Sequence, residues 1–315
     1  MSLKQDADAL LRRATDAGHV PGVVAMATDR GGTIFEGAFG TRVLGQVAPM
    51  TLDTVVWIAS MTKALTSTAA MQLVERGKLD LESPVGRWVP EIAATQVLEG
   101  FDGSGRPRTR APKRPVTLAH LLTHTAGFSY EFWNEAIQKY QKATETPGIT
   151  SCQNAALRTP LLFDPGERWE YGISVDWVGK AGDYLKFVQI ILNRGRARGA
   201  QVLKGETVDM MARNQTGQIR VTPLRSAMPP LSNDAEFFPG LEKHYGYGFQ
   251  VNAERAPTGL SAGSLMWAGM ANSFYWIDPA KNIGGVYLTQ ILPFADVKSA
   301  PLFVDFQKAV YQSMG

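Results

Sequence analysis

A chain of 315 residues, 44% apolar and 19% charged, can bury a large core as one big domain or two closely joined ones. Its formal net charge of +3 gives no reason to expect a nucleic-acid partner. The single cysteine, Cys152, excludes an intrachain disulfide, so the fold must rest on packing.

The opening Met1–Asp6 lacks the apolar core of a signal peptide. No run approaches the ~20 apolar residues of a membrane span. Both observations predict a soluble, cytoplasmic protein without a membrane partner. Leu3 to Ala17 carries Leu3, Ala7, Leu10, Leu11 and Ala14 on one helical face, and His19-Val20-Pro21-Gly22 ends that helix. Val23–Thr28 and Thr33–Phe39 read as strands joined by the turn Asp29-Arg30-Gly31-Gly32. This α/β opening has no glycine-rich phosphate loop. Ser60 to Arg76 predicts a helix closed by Gly77. Between Thr54 and Val74 the one charged residue is Lys63, so that helix should run buried through the middle of the protein. Pro84 to Pro165 is mixed and helical in parts. The basic clusters Arg106–Arg114 and Arg194–Arg198 read as solvated surface. Tyr245–Val251, Ser273–Ile277 and Ile283–Thr289 read as strands, and Leu302–Met314 as a closing helix.

Ser60-Met61-Thr62-Lys63 sets a hydroxyl and an amine three residues apart. At that spacing on a helix the Cβ atoms lie about 5–6 Å apart on one face. A serine hydroxyl attacks only when something accepts its proton, and a lysine whose solvation has been stripped can assist. Such pairs also arise by chance, and a lysine snorkelling from a helix start is an equally good account of this one. Tyr171, in the Pro/Gly-rich run Phe163 to Gly172, is either a packed aromatic or a base held near the lysine. Met266-Trp267-Ala268-Gly269-Met270 stands at the entrance to a C-terminal strand, where small residues let a backbone N–H approach a carbonyl. A rival serine lies in Gly259-Leu260-Ser261-Ala262-Gly263, a G-x-S-x-G pattern. That motif requires a following helix and a later histidine, and the last histidine here is His244, so Ser261 reads as a loop residue. The four histidines show no metal spacing, and Cys152 has no histidine beside it in sequence.

Ser60-Met61-Thr62-Lys63, Leu121-Leu122-Thr123-His124-Thr125-Ala126-Gly127, the run Phe163 to Tyr171 and Trp267-Ala268-Gly269 occur in that order. Together they resemble the class C β-lactamase and DD-peptidase group, and within it the family VIII carboxylesterases. The resemblance spans nearly the whole chain. It implies an α/β (α+β) β-lactamase/transpeptidase-like fold: an antiparallel sheet with N- and C-terminal helices from 1–60 and 181–315, and a helical region from 61–180. Ser60 would be the acylated nucleophile, Lys63 the proton shuttle and Tyr171 the general base. The N–H groups of Ser60 and Met270 would form the oxyanion hole. Trp267, Gly269, Tyr130 and Ile173 would border the substrate. No metal or cofactor is implied. Trp267 stands where the lactamases carry the lysine of Lys-Thr-Gly, and Ile173 where they commonly carry an asparagine. An indole offers an apolar wall in place of a cation that meets a carboxylate.

These departures favour neutral or hydrophobic acyl esters over penicillins. The expected activity is therefore a serine carboxylesterase, with β-lactamase, DD-peptidase or acyltransferase chemistry, or a weakened scaffold, as alternatives. A monomer or homodimer of bacterial origin is expected. Relative to the family, the sequence passes from Trp177-Val178-Gly179-Lys180 straight into Ala181-Gly182-Asp183-Tyr184, as though a stretch were excised there, opening one flank of the cleft and leaving apolar surface uncovered.

Overall fold

The computed structural model describes residues 2–178, 184–197 and 200–314, so the junction at Lys180/Ala181 lies outside the described residues. Helix α1 (Leu3–Asp16) starts with a capping box: Ser2 Oγ accepts from the Gln5 N–H, and the Gln5 side chain accepts from the Ser2 N–H. Two helix-end donors are thereby satisfied. The helix buries Ala7, Leu11 and Ala14, the stripe its periodicity predicts. Strands β1 (Gly22–Asp29) and β2 (Thr33–Gly40) form the expected hairpin. Its turn is tied by Asp29 Oδ1, which accepts from the N–H groups of Gly31 at 2.7 Å and Gly32 at 3.0 Å.

A 3-10 turn, Ala59–Met61, then leads into α2 (Thr62–Glu75). Buried residues lie on most sides of α2, Lys63 among them. The next stretch contains α3 (Pro90–Ala93), the hairpin β3 (Val97–Phe101) and β4 (Pro107–Arg110), α4 (Leu118–Leu122) and α5 (Glu135–Thr144). Helix α6 (Tyr184–Leu192), the two-residue pair β5 (Arg196–Ala197) and β6 (Ala200–Gln201), and α7 (Gly205–Met211) follow. The rest of the chain supplies β7 (Lys243–Tyr245), β8 (Gln250–Asn252), β9 (Leu265–Gly269), β10 (Ser273–Asp278), β11 (Ile283–Leu288) and α8 (Ser299–Gln312).

One antiparallel sheet of seven strands, in the order β2-β1-β11-β10-β9-β8-β7, organises these elements. Strand alternation sends Phe274 and Trp276 of β10 toward α8. There Phe274 stacks on Phe303 at 4.5 Å, and Trp276 meets Phe306 at 5.8 Å. Tyr275 points the other way, to Phe249, which stacks in turn on Phe187 of α6. Full burial of one such ring removes enough apolar surface from water to stabilise the fold by about 1.5–3 kcal/mol.

Two details differ from the sequence reading. The run Tyr245–Val251, expected as one strand, is the end of β7, a turn and the start of β8, because Gly248 (φ 97°) lets the chain reverse. Met266–Gly269, expected at a strand entrance, lies within β9 itself. Ser261 lies in a loop, its N–H donating to Asp278.

Candidate active site

The nucleophile candidate lies where the 3-10 turn before α2 meets β9. Ser60 lies in the 3-10 turn, directly after Ala59, whose φ of 44° is a left-handed value that an L residue adopts at a cost of order 1 kcal/mol. The end of β9 presses on this turn. A Cβ placed on Gly269 would stand 2.2 Å from the Ile58 carbonyl oxygen, so only glycine allows the contact. Ser60, Gly269 and Met270 are thereby brought to one pocket that opens to solvent. Tyr171 and Trp267 line it, with further walls from Phe132, Trp133, Leu224, Phe237 and Phe294. Among the described residues, no charged side chain lines it.

One turn along α2, Lys63 is 5% exposed. Its ammonium donates to Ser60 Oγ at 3.4 Å, to the Tyr130 hydroxyl at 2.8 Å and to Asp176 Oδ1 at 3.2 Å. The Tyr130 hydroxyl donates in turn to Asp176 Oδ2. Three ammonium protons thus find three acceptors. Burial alone would pull the lysine toward neutrality, but the Asp176 carboxylate, helped by Tyr171, outweighs it and holds Lys63 above its ordinary value. The resting lysine is a cation. Burial and the Asp176 charge also push the Tyr130 phenol well above its ordinary value, so it stays protonated.

Tyr171 is placed differently. Its ring centroid lies 5.7 Å from Lys63 Nζ, near enough for charge to act, yet its buried hydroxyl completes no hydrogen bond among the described residues. The ring packs between His124 at 4.7 Å and Trp267 at 4.7 Å. His124 is buried and neutral, its basicity lowered by burial and by the nearby Lys63 charge. The loop that carries Tyr171 is anchored upstream, where fully buried Asp164 accepts two hydrogen bonds from the Arg110 guanidinium at 2.8 and 2.7 Å and one from the Lys113 N–H. The Arg106–Arg114 cluster, expected to be solvated throughout, is therefore partly a structural clamp.

Two of the residues expected to border the substrate fall elsewhere. Tyr130 is not among the pocket-lining residues and is bound to Lys63 and Asp176. Ile173 is buried in the core, because the turn after Tyr171 points it inward, and it does not line the pocket either. Asp176 escaped the sequence reading, although it is the one charged residue from Tyr171 to Val178, the same kind of isolation that marks Lys63. The apolar walls Phe237 and Phe294 also carried no sequence signal.

Against known proteins, residues 7–175 and 172–307 match the family described as Beta-lactamase. The two matched segments meet beside the junction where the sequence suggests an excision. The acyltransferase mokF of Monascus pilosus is 40% identical over 187 residues, covering 56% of this chain and 44% of that protein. Lovastatin esterase of Penicillium rubens is 37% identical over 193 residues, covering 58% of this chain and 48% of the esterase. The chain thus spans less than half the length of these curated relatives. Among solved structures, a variant of simvastatin synthase from Aspergillus terreus superposes with a TM-score of 0.80 at 25% identity, covering 97% of this chain and 94% of that one. The β-lactamase/transpeptidase-like fold expected from the sequence is the fold observed. These named relatives are fungal, which does not support the expectation of a bacterial source. Among the described residues, no helix is long and apolar enough to cross a membrane.

Proposed function

Because the chain belongs to the beta-lactamase family, we propose that it transfers acyl groups from a small ester or thioester to an alcohol through an acyl-enzyme on Ser60. The observation that carries this reading is the Lys63 ammonium, hydrogen-bonded to Ser60 Oγ at the edge of an aromatic pocket that Tyr171 also faces. With Lys63 already cationic, the proton of Ser60 goes to the Tyr171 oxygen, which acts as a base in its phenolate form beside that cation, while Oγ attacks the carbonyl carbon. The N–H groups of Ser60 and Met270 are the proposed donors to the oxyanion. Collapse expels the donor's alcohol or thiol, which takes up a proton from the Tyr171–Lys63 pair. The acyl group then remains on Ser60 until an acceptor hydroxyl repeats the sequence in reverse.

Transfer takes precedence over simple hydrolysis, the activity the sequence favours, because mokF is an acyltransferase. Hydrolysis is the same path with water as acceptor, and the lovastatin esterase similarity supports it as the second reading. Penicillins fit the site less well, since no cation among the pocket-lining residues meets their carboxylate.

The test is p-nitrophenyl butyrate with and without cyclohexanol. Transfer predicts cyclohexyl butyrate as product and faster p-nitrophenol release with the alcohol present. Butyric acid alone as product favours the hydrolytic reading. No acylation of Ser60, read by peptide mass spectrometry, rejects both.

A further inference from the structure

One wall of the acyl pocket, Phe237, is only partly buried and packs against the core from outside it. Phe237 lines the pocket and touches Trp267 at 5.8 Å, but its other side faces a second, open pocket that also borders Phe238, Phe274 and Phe294. The segment that carries it, 233–242, has no regular strand or helix, and Phe238 has a left-handed φ of 49°. Its ring packs on Trp267 and Phe274, at 5.8 and 6.2 Å, but on an irregular loop something besides side-chain packing must hold the backbone that carries it.

That something is an ammonium. Lys243 opens β7, the edge strand, and is 2% exposed. Alternation puts it on the same sheet face as Tyr245, whose ring meets Trp267 at 5.5 Å. Lys243 Nζ donates to Glu236 Oε1 at 2.9 Å, to the Phe237 carbonyl at 2.8 Å and to the Phe238 carbonyl at 3.1 Å. All three of its protons are spent on three consecutive loop residues. The two gripped carbonyls flank the Phe238 Cα, so the buried cation fixes the backbone directly after Phe237, while its third bond holds the Glu236 side chain directly before it. The base of this loop is held separately, by paired backbone hydrogen bonds of 2.9 Å between Leu224 and Ala235, and Leu224 lines the same pocket.

We propose that Lys243 is a positioning residue for the acyl pocket: by clamping residues 236–238 it sets where the Phe237 ring stands, and so selects acyl groups long enough to fill the space against it. This rests on the acyl-enzyme reading above and deepens it by naming hydrophobic acyl chains longer than acetyl as the preferred class.

The experiment compares kcat/KM for p-nitrophenyl hexanoate with that for p-nitrophenyl acetate. A hydrophobic pocket discriminates by roughly tenfold or more for each well-packed methylene, so the ratio reports the wall directly. In Lys243→Met the hexanoate-to-acetate ratio should fall about tenfold, mainly through KM for hexanoate. Phe237→Ala should lower it by a similar factor. The double variant should fall no further than Phe237→Ala alone, because the clamp acts only through that ring. Lys243→Arg, whose guanidinium can still reach the carbonyls, should recover most of the ratio. If Lys243→Met does not fold, Glu236→Gln at the outer end of the clamp reads the same quantity, with an expected fall of about threefold.

An unchanged ratio in Lys243→Met or Glu236→Gln, or losses that multiply in the double variant, would overturn the inference while leaving the acyl-enzyme intact. A wild-type protein that releases p-nitrophenol from neither ester sinks the acyl-enzyme reading itself, and this inference with it.

Discussion

Lys63 Nζ donates to the Tyr130 hydroxyl at 2.8 Å, and that bond divides the labour between two phenols. Tyr130 accepts from the lysine and donates to Asp176, so its proton is committed and its phenol is held well above the usual range by burial and the carboxylate. Tyr171 completes no hydrogen bond among the described residues and faces the pocket with Ser60, so its oxygen stands unengaged beside the proposed nucleophile.

The first prediction follows from that split. Tyr171→Phe removes the proposed base and should lower kcat for p-nitrophenyl butyrate by at least about a hundredfold, as should Lys63→Ala. Tyr130→Phe removes only a brace of the lysine and should lose about tenfold. Ser60→Ala should abolish turnover. Equal losses in the two tyrosine variants, read by steady-state kinetics on folded protein, would contradict the division of roles.

A second prediction concerns Asp176. Burial disfavours the Lys63 cation, and Asp176 supplies the largest opposing effect. Asp176→Asn removes that charge and leaves burial unopposed, so the lysine loses its proton at lower pH. Catalysis that needs the cation should then fade earlier as pH rises. The alkaline limb of the kcat/KM profile should move to lower pH in Asp176→Asn, with the acidic limb less affected. An alkaline limb that stays in place would show that Lys63 is not the group that titrates there.

Acid stability gives a third. Arg110, then the Lys113 N–H, hold the Asp164 carboxyl well below the usual carboxylate range. A lowered folded-state value means the stabilisation is complete above the unfolded carboxylate's value of about 4 and drains away as pH falls toward the folded one. Asp164→Asn should therefore melt at a lower Tm than wild type at pH 7. The gap should narrow as pH drops through the acid range, since wild type loses there what the variant never had. Melting curves followed by circular dichroism at several pH values check this, and a gap that is constant with pH would exclude the ion-pair account.

The legibility of this protein in its sequence followed the range of each interaction. Ser60 and Lys63 could be paired because the 3-10 turn and α2 run on as one helical path that fixes what three residues mean, and the hairpin of β1 and β2 because Asp29 and two glycines form a local turn. Tyr130 and Asp176 were not paired with Lys63, being 67 and 113 residues away along the chain, where only the folded topology brings them together. For Asp176 a signal was present as isolation: it and Lys63 each stand as the one charged residue in an otherwise uncharged run. Ile173 was misplaced because a position beside a functional tyrosine does not determine which way the next side chain turns. Phe237 and Lys243 had no periodic context at all, since the loop between them follows no regular repeat.

The last prediction tests how closely the sheet must approach the nucleophile. In Gly269→Ala the new Cβ would lie 2.2 Å from the Ile58 oxygen and 3.0 Å from its carbonyl carbon. Both are backbone atoms, so no rotamer change relieves the clash, and β9 must withdraw from the Ala59 turn. Met270, the next residue, is carried away from Ser60, and with it the proposed second donor to the oxyanion. Loss of one such donor costs about a hundredfold or more in kcat, so Gly269→Ala should approach that figure while binding of the acyl chain is weakened far less. Gly103→Ala, where an added Cβ meets nothing within 4 Å, serves as the matched control and should leave kcat and Tm unchanged. Activity within threefold of wild type in Gly269→Ala, with the fold intact by circular dichroism, would mean that the approach of β9 does not set the oxyanion geometry.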